Sequence, residues 1–158
     1  MTGPADALRA AIDGAMPRLA ALDEAMTAAA PAPGKWSPRE VIGHLIDSAL
    51  NNDARFVRAT IEDDLVFPGY DQDAWVRVQR YAAVPWKDLL ALWRVLNLHV
   101  VRVMDAAPLD VRLRPRARHN LDEIAWRPFR REVPATLDEL MRDYVAHLEH
   151  HLGQIPGA

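Results

Sequence analysis

Eight apolar residues near the end of the chain (Leu137, Leu140, Met141, Tyr144, Val145, Leu148, Leu152 and Ile155) recur at steps of three and four. That period fits an α-helix with one buried face and not a half-buried strand, whose period is two. Three of the six histidines, His147, His150 and His151, lie on this helix. Advancing about 100° per residue places His147 and His151 one turn apart at the edge of the apolar stripe, and His150 on the far side near Glu149 and Asp143. Two imidazoles four residues apart on a helix project in one direction and can share a metal ion. The same spacing fits a hydrogen-bonded histidine cluster, so a third ligand decides between the two.

The rest of the chain repeats the helical period. Leu8, Ile12, Ala15, Leu19, Leu22 and Met26 mark a helix over residues 4–29, which Pro17 should kink or split. Pro31, Pro33 and Gly34 break it. Ser37-Pro38-Arg39-Glu40 then reads as a helix start: Ser37 caps, Pro38 suits the first helical position, and Glu40 closes a capping box. The second helix should run to about Ile61, its apolar face built from Val41, Ile42, Leu45, Ile46, Ala49, Leu50, Phe56 and Val57. His44 falls off that face, beside Ser48, Asn51 and Arg55, and by pattern alone it points to solvent. Residues 62–85 form a long connection with a short helix near residues 70–76. The aromatics Phe67, Tyr70 and Trp75 should pack it down onto the protein.

A third helix covers Trp86–Ala106, with His99 on its flank as a structural or exposed residue. Trp86 and Trp93 fit a buried core and leave room for a homodimer interface. Residues 107–135 form a second long connection carrying Arg112, Arg114, Arg116, Arg118, Arg127, Arg130 and Arg131. These arginines are either a solvated loop or a rim that attracts an anionic substrate or cofactor. The alternation Val111-Arg112-Leu113-Arg114 suits a short extended piece. Thr136 and Glu139 make a second capping box at the start of the last helix, and Pro156 stops it. Four amphipathic helices and no convincing strand pair predict an all-α four-helix bundle, with longer connections after the second and third helices.

Length and composition set the remaining limits. A chain of 158 residues is expected to form one domain, 1–158, with a real core. Its net charge of −3 argues against nucleic acid as a partner. The absence of cysteine removes disulfides, thiolate ligands and a cysteine nucleophile together. No apolar run approaches a bilayer span, so no membrane partner is expected. Met1-Thr2-Gly3-Pro4-Ala5-Asp6 lacks the pattern of a secretory signal, which makes a cytoplasmic location the expectation.

Three segments, in order, resemble the DinB/YfiT-like superfamily. They are Lys35-Trp36-Ser37-Pro38-Arg39-Glu40-Val41-Ile42-Gly43-His44-Leu45-Ile46-Asp47, Tyr70-Asp71-Gln72-Asp73-Ala74-Trp75, and His147-Leu148-Glu149-His150-His151-Leu152-Gly153-Gln154-Ile155. The resemblance implies a four-helix bundle. It also implies a divalent metal held by one histidine on the second helix and two on the last, which here are His44, His147 and His151. It thus opposes the solvent-facing placement of His44. Three neutral imidazoles leave a metal with open positions, as in a reactive site. Zinc and nickel lead among the ions such ligands suit, with iron and copper also compatible. Asp47, Asp143 and Gln154 are the nearby groups that can orient the rings. The leading expectation is a metal-dependent transferase acting on a small-molecule substrate with a low-molecular-weight thiol such as bacillithiol, mycothiol or glutathione. The arginine-rich connection would then hold the thiol's carboxylates. The alternatives are a hydrolase using metal-bound water, a non-catalytic metal-binding stress protein, and a helical bundle without metal.

Overall fold

The computed structural model of the protein describes residues 2–156. Its helices are α1 (Pro4–Ala20), α2 (Glu24–Ala28), α3 (Pro38–Ile61), α4 (Gln72–Gln79), α5 (Trp86–Ala106), α6 (Leu109–Leu113), α7 (Leu121–Ile124) and α8 (Leu137–Leu152), with a single 3₁₀ turn at Tyr81–Ala83. Among the described residues there is no strand; an isolated bridge of Leu65 with His119 ties the two long connections together, and a second, Arg116 with Ala135, closes the second connection on itself. The protein is an all-α four-helix bundle built on α1, α3, α5 and α8. Both α1 and α3 pack between α5 and α8, so α1 and α3 occupy opposite corners. The links from α1 to α3 and from α5 to α8 therefore cross the bundle diagonally, which a short hairpin turn cannot do.

Local chemistry fixes where the long helices start. At α3, Ser37 Oγ accepts the Glu40 backbone N–H, and the Ser37 N–H donates to Glu40 Oε2 at 2.8 Å. At α8, Thr136 and Glu139 make the same reciprocal pair. The start of α5 has no such box. Instead Glu24, on α2, accepts the Trp86 N–H at 3.1 Å, a carboxylate at a helix N-terminus. Arg39 holds that carboxylate in place, with its guanidinium 2.5 Å from Glu24 Oε2. The core between the helices centres on Phe56, Trp93 and Tyr144, and the Tyr144 hydroxyl donates to Asn97 on α5. Trp86 and Trp93 are both buried inside the chain itself.

Two local expectations differ from the structure. Pro17 does not split α1; the helix passes through it to Ala20, and the split comes at Asp23, which caps α2. Pro17 and the residue four before it, Asp13, are both exposed, so water can satisfy the carbonyl the ring leaves unpaired. Residues 111–113 belong to α6 and are not extended. Pro108 precedes this helix, and Arg112 turns to Asp138 on α8 at 2.9 Å.

Gly43 sets how closely the turn after α4 approaches α3. Tyr81 packs closely against it, and a Cβ there would overlap Tyr81 Cγ and Cδ2 and stand 2.8 Å from its Cβ. Tyr81 Oη in turn donates to Asp47 Oδ1 at 2.7 Å, and Gln79 Nε2 donates to the same oxygen at 2.7 Å. Gly43→Ala is expected to lower stability by about 1–3 kcal/mol through overpacking, read as a lower midpoint in denaturant unfolding. An unchanged midpoint would mean that the ring does not rest on this glycine.

Candidate metal centre

His44 lies on the second turn of α3, and His147 and His151 lie one turn apart on α8. The structure brings all three together. His44 Nε2 is 3.1 Å from His147 Nε2, and one nitrogen from each ring lies within 4.8 Å of the other two. Ring centroids are 5.0 Å (His44–His147), 4.6 Å (His44–His151) and 4.5 Å (His147–His151) apart. Ligands at about 2.1 Å from a tetrahedral ion stand roughly 3.4 Å from one another, close to the spacing of the first pair.

His44 is 1% exposed, which corrects its solvent-facing placement from pattern. The polar flank it shares with Ser48 and Arg55 is real, but the first long connection and α8 cover it, so it faces the interior. Burial, with the neighbouring His151, pushes the His44 imidazolium down to about 4. Burial and the three surrounding histidines push His147 down to about 3, and burial lowers His151. All three are therefore neutral near pH 7, the form that offers a lone pair.

Neighbours bias which nitrogen that is. Gln154 Oε1 lies 2.8 Å from His151 Nδ1, so it accepts from an Nδ1–H and leaves Nε2 bare. Ser48 Oγ lies 3.5 Å from His147 Nδ1 and can act in the same sense, though weakly at that length. His44 Nδ1 is buried without a hydrogen-bond partner among the described residues. Two bare Nε2 atoms at 3.1 Å repel unless a cation lies between them or one carries a proton, so the donor set fits a divalent ion. Trp36 flanks the cluster on one side, 5.0 Å from His44, and Trp126 on the other, 6.5 Å from His147.

The remaining histidines are elsewhere. His150 is exposed beside Trp126 and shares Gln154 with His151. His99 is exposed near Asp53. His119 is buried and bonds the backbone at Val133 and Leu121. Of the three groups expected to orient the rings, Gln154 does so. Asp47 is turned to Gln79 and Tyr81, and Asp143 accepts the backbone N–H groups of Trp126 and Arg127 at 3.0 and 2.8 Å.

Beside His44 and His147 opens a cavity of about 190 Å³, lined also by Ser48, Asn52, Arg55, Tyr70, Trp126 and Asp143. A shallower groove of about 580 Å³ runs along Lys35, Trp36, Gln154 and the far side of His151. Sequence pattern missed Asn52, Trp126 and the burial of Arg55 and Asp143. The signal was the run His44, Ser48, Asn52, Arg55, one polar residue per turn on a helix with a full apolar face of its own. The expected arginine rim is largely neutralised: Arg112, Arg114, Arg118 and Arg131 pair with Asp138, Asp63, Asp64 and Asp122.

Comparison with known proteins agrees with this architecture. The sequence profile of the DinB superfamily matches residues 7–155, and the chain belongs to that superfamily. A Bacillus subtilis relative named "Putative metal-dependent hydrolase YfiT" is 26% identical over 122 residues, 77% of this chain. The chain spans 63% of that curated relative's length. The solved structure of YfiT from Bacillus subtilis, described as a probable metal-dependent hydrolase with an unusual four-helix bundle topology, superposes with a TM-score of 0.77. The superposition covers 96% of this chain and 81% of that one at 20% identity, and so speaks for the fold alone. Among the described residues no helix is long and apolar enough to cross a membrane.

The depressed histidines have a consequence for stability. The unfolded chain binds protons at these rings below pH 6.5, whereas the native protein resists until about 4 at His44 and about 3 at His147. Metal-free protein should therefore lose stability as pH falls from about 6.5 towards 4, with no contribution from these groups above that window. Asp47 and Asp143, raised by burial, act with the opposite sign at the acid end. Denaturant midpoints from pH 7 to 5 should fall less steeply in a His44→Gln/His147→Gln variant. Parallel slopes in the two proteins would contradict the assignment.

Proposed function

We propose that His44, His147 and His151 hold a divalent cation and that the protein is a metal-dependent enzyme transferring a low-molecular-weight thiol to a small electrophile. The observation that carries this is the position of the histidine cluster, between a compact cavity on the His44 and His147 side and a larger groove on the His151 side. Two openings onto one centre suit a reaction of two substrates. The groove, with Lys35 and Trp36, has room for the thiol; the cavity takes the electrophile.

A divalent ion supplies this site with the means to favour thiolate or hydroxide near neutral pH, or to polarise a carbonyl. The chain's own residues do the rest. Gln154 keeps the His151 proton on Nδ1. Trp36 and Trp126 screen the imidazoles from water. Asp143 fixes Trp126 by its backbone. Tyr70, whose hydroxyl burial pushes up to about 12, stays protonated in the cavity wall. Carboxylates of a thiol would meet Lys35 in this arrangement, because most arginines of the second connection are already paired.

Hydrolysis is the second reading, favoured by the description of the Bacillus subtilis relative. No free carboxylate base favours it here: Asp143 accepts two backbone amides, Glu123 pairs with Arg131, and Glu149 is exposed away from the cluster.

Purified protein should bind one equivalent of zinc or nickel, and His44→Ala should weaken binding by more than the roughly 10–100-fold typical of losing an outer partner. A panel of bacillithiol, mycothiol and glutathione against alkylating electrophiles should show thiol consumption that stops on chelation. Metal-dependent ester or amide cleavage without thiol would favour the hydrolase, and stoichiometric metal without turnover would leave a binding protein.

A further inference from the structure

The cavity beside His44 and His147 contains a buried cation that forms no ion pair among the described residues. Arg55 is 7% exposed and lines the cavity, yet among the described residues no carboxylate lies within ion-pair distance of it. Two of its N–H groups go to neutral oxygens, Asn52 Oδ1 at 3.4 Å and the Pro68 carbonyl at 3.1 Å. A guanidinium has five N–H donors and does not lose its charge in a protein. Most buried arginines meet a carboxylate because an uncompensated buried charge is destabilising. Of the two carboxylates lining the cavity, Asp143 directs its oxygens to the amides of Trp126 and Arg127, and Glu123 pairs with Arg131. Burial pushes the Arg55 guanidinium down from its usual range, and Tyr70 and Asp143 offset part of that, so it stays charged.

We propose that Arg55 anchors the carboxylate of a small substrate, whose other end then lies against the histidine cluster. His44, Ser48, Asn52 and Arg55 share one face of α3, and the first and last stand about 16 Å apart along the axis. Long side chains on a helix lean towards its N-terminus, which brings the guanidinium back towards His44. Ser48, Asn52 and Tyr70 supply polar groups along the strip between them. The substrate class is a compact carboxylate carrying its reactive carbon at the end remote from the carboxylate. This deepens the function proposed above, naming the electrophile's handle; the anchor itself does not depend on a bound metal.

The test uses chelated and zinc-loaded full-length protein, with butyrate and hexanoate and their neutral analogues butyramide and hexanamide, by calorimetry and ligand-detected NMR. The acids should bind saturably and on the order of tenfold or more tighter than the amides, with or without zinc. Arg55→Met should remove that preference and Arg55→Lys should retain part of it, while zinc affinity stays at the wild-type value in both. The comparison of acid with amide on wild-type protein stands even if Arg55→Met does not fold. Equal binding of acid and amide, no saturable binding of either, or an acid preference that survives Arg55→Met would overturn the proposal. So would a preference that vanishes on chelation, since the carboxylate would then be docking on the ion. If zinc does not bind but the Arg55-dependent preference persists, the anchor stands and the metal-dependent function falls.

Discussion

The approach of His44 on α3 to His147 on α8, with their Nε2 atoms 3.1 Å apart, constrains the geometry of this bundle end more than any apolar contact. Two helices packed through hydrocarbon can slide by a fraction of an ångström with little effect on their energy. Two imidazoles facing nitrogen to nitrogen cannot, because the contact is repulsive without a proton or a cation and attractive with one. The surroundings commit the rings to the neutral state through burial and set the tautomer of at least one of them through Gln154. The bundle end is therefore organised around donor atoms, and the core of Phe56, Trp93 and Tyr144 serves to hold the two helices where those atoms meet.

The two long connections act as walls. Asp143 binds two successive amides and so fixes the stretch that presents Trp126 to His147 and His150. Arg55 reaches the carbonyl of Pro68 and pins the other connection, from which Tyr70 enters the cavity. Asn120 exchanges hydrogen bonds with the backbone of Phe67, joining one wall to the other. Diagonal links need length to cross the bundle, and that same length encloses the space beside the histidines.

The parts of this arrangement legible in the sequence are those governed by neighbours in the chain. Ser37 with Glu40 and Thr136 with Glu139 marked two helix starts, because a capping box is contained in four residues. The apolar periods gave the extents of α3, α5 and α8, and the four-residue step gave the pair His147 and His151. The position of His44 was not legible from pattern. A polar stripe reads as a wet one unless something distant covers it, and here the cover comes from residues 20 to 100 positions away. Resemblance to a family supplied what periodicity could not. The ion pairs of the second connection were hidden for the same reason: Arg114 and Arg118 find Asp63 and Asp64 across about fifty residues of chain. Asp23 ended the first helical run where Pro17 was expected to, because an exposed proline near a helix end leaves its orphaned carbonyl to water.

Those ion pairs have a kinetic corollary. Pairing Arg112, Arg114, Arg118 and Arg131 with aspartates weakens the far field of the second connection, and the net charge of −3 offers an approaching anion no attraction. Arg55, with no carboxylate at ion-pair distance among the described residues, sits deep in the cavity wall and adds little to the field in bulk solvent. Encounter should then proceed by ordinary diffusion, at a rate nearly indifferent to ionic strength. Whatever selectivity the cavity has is expressed in residence time rather than in capture.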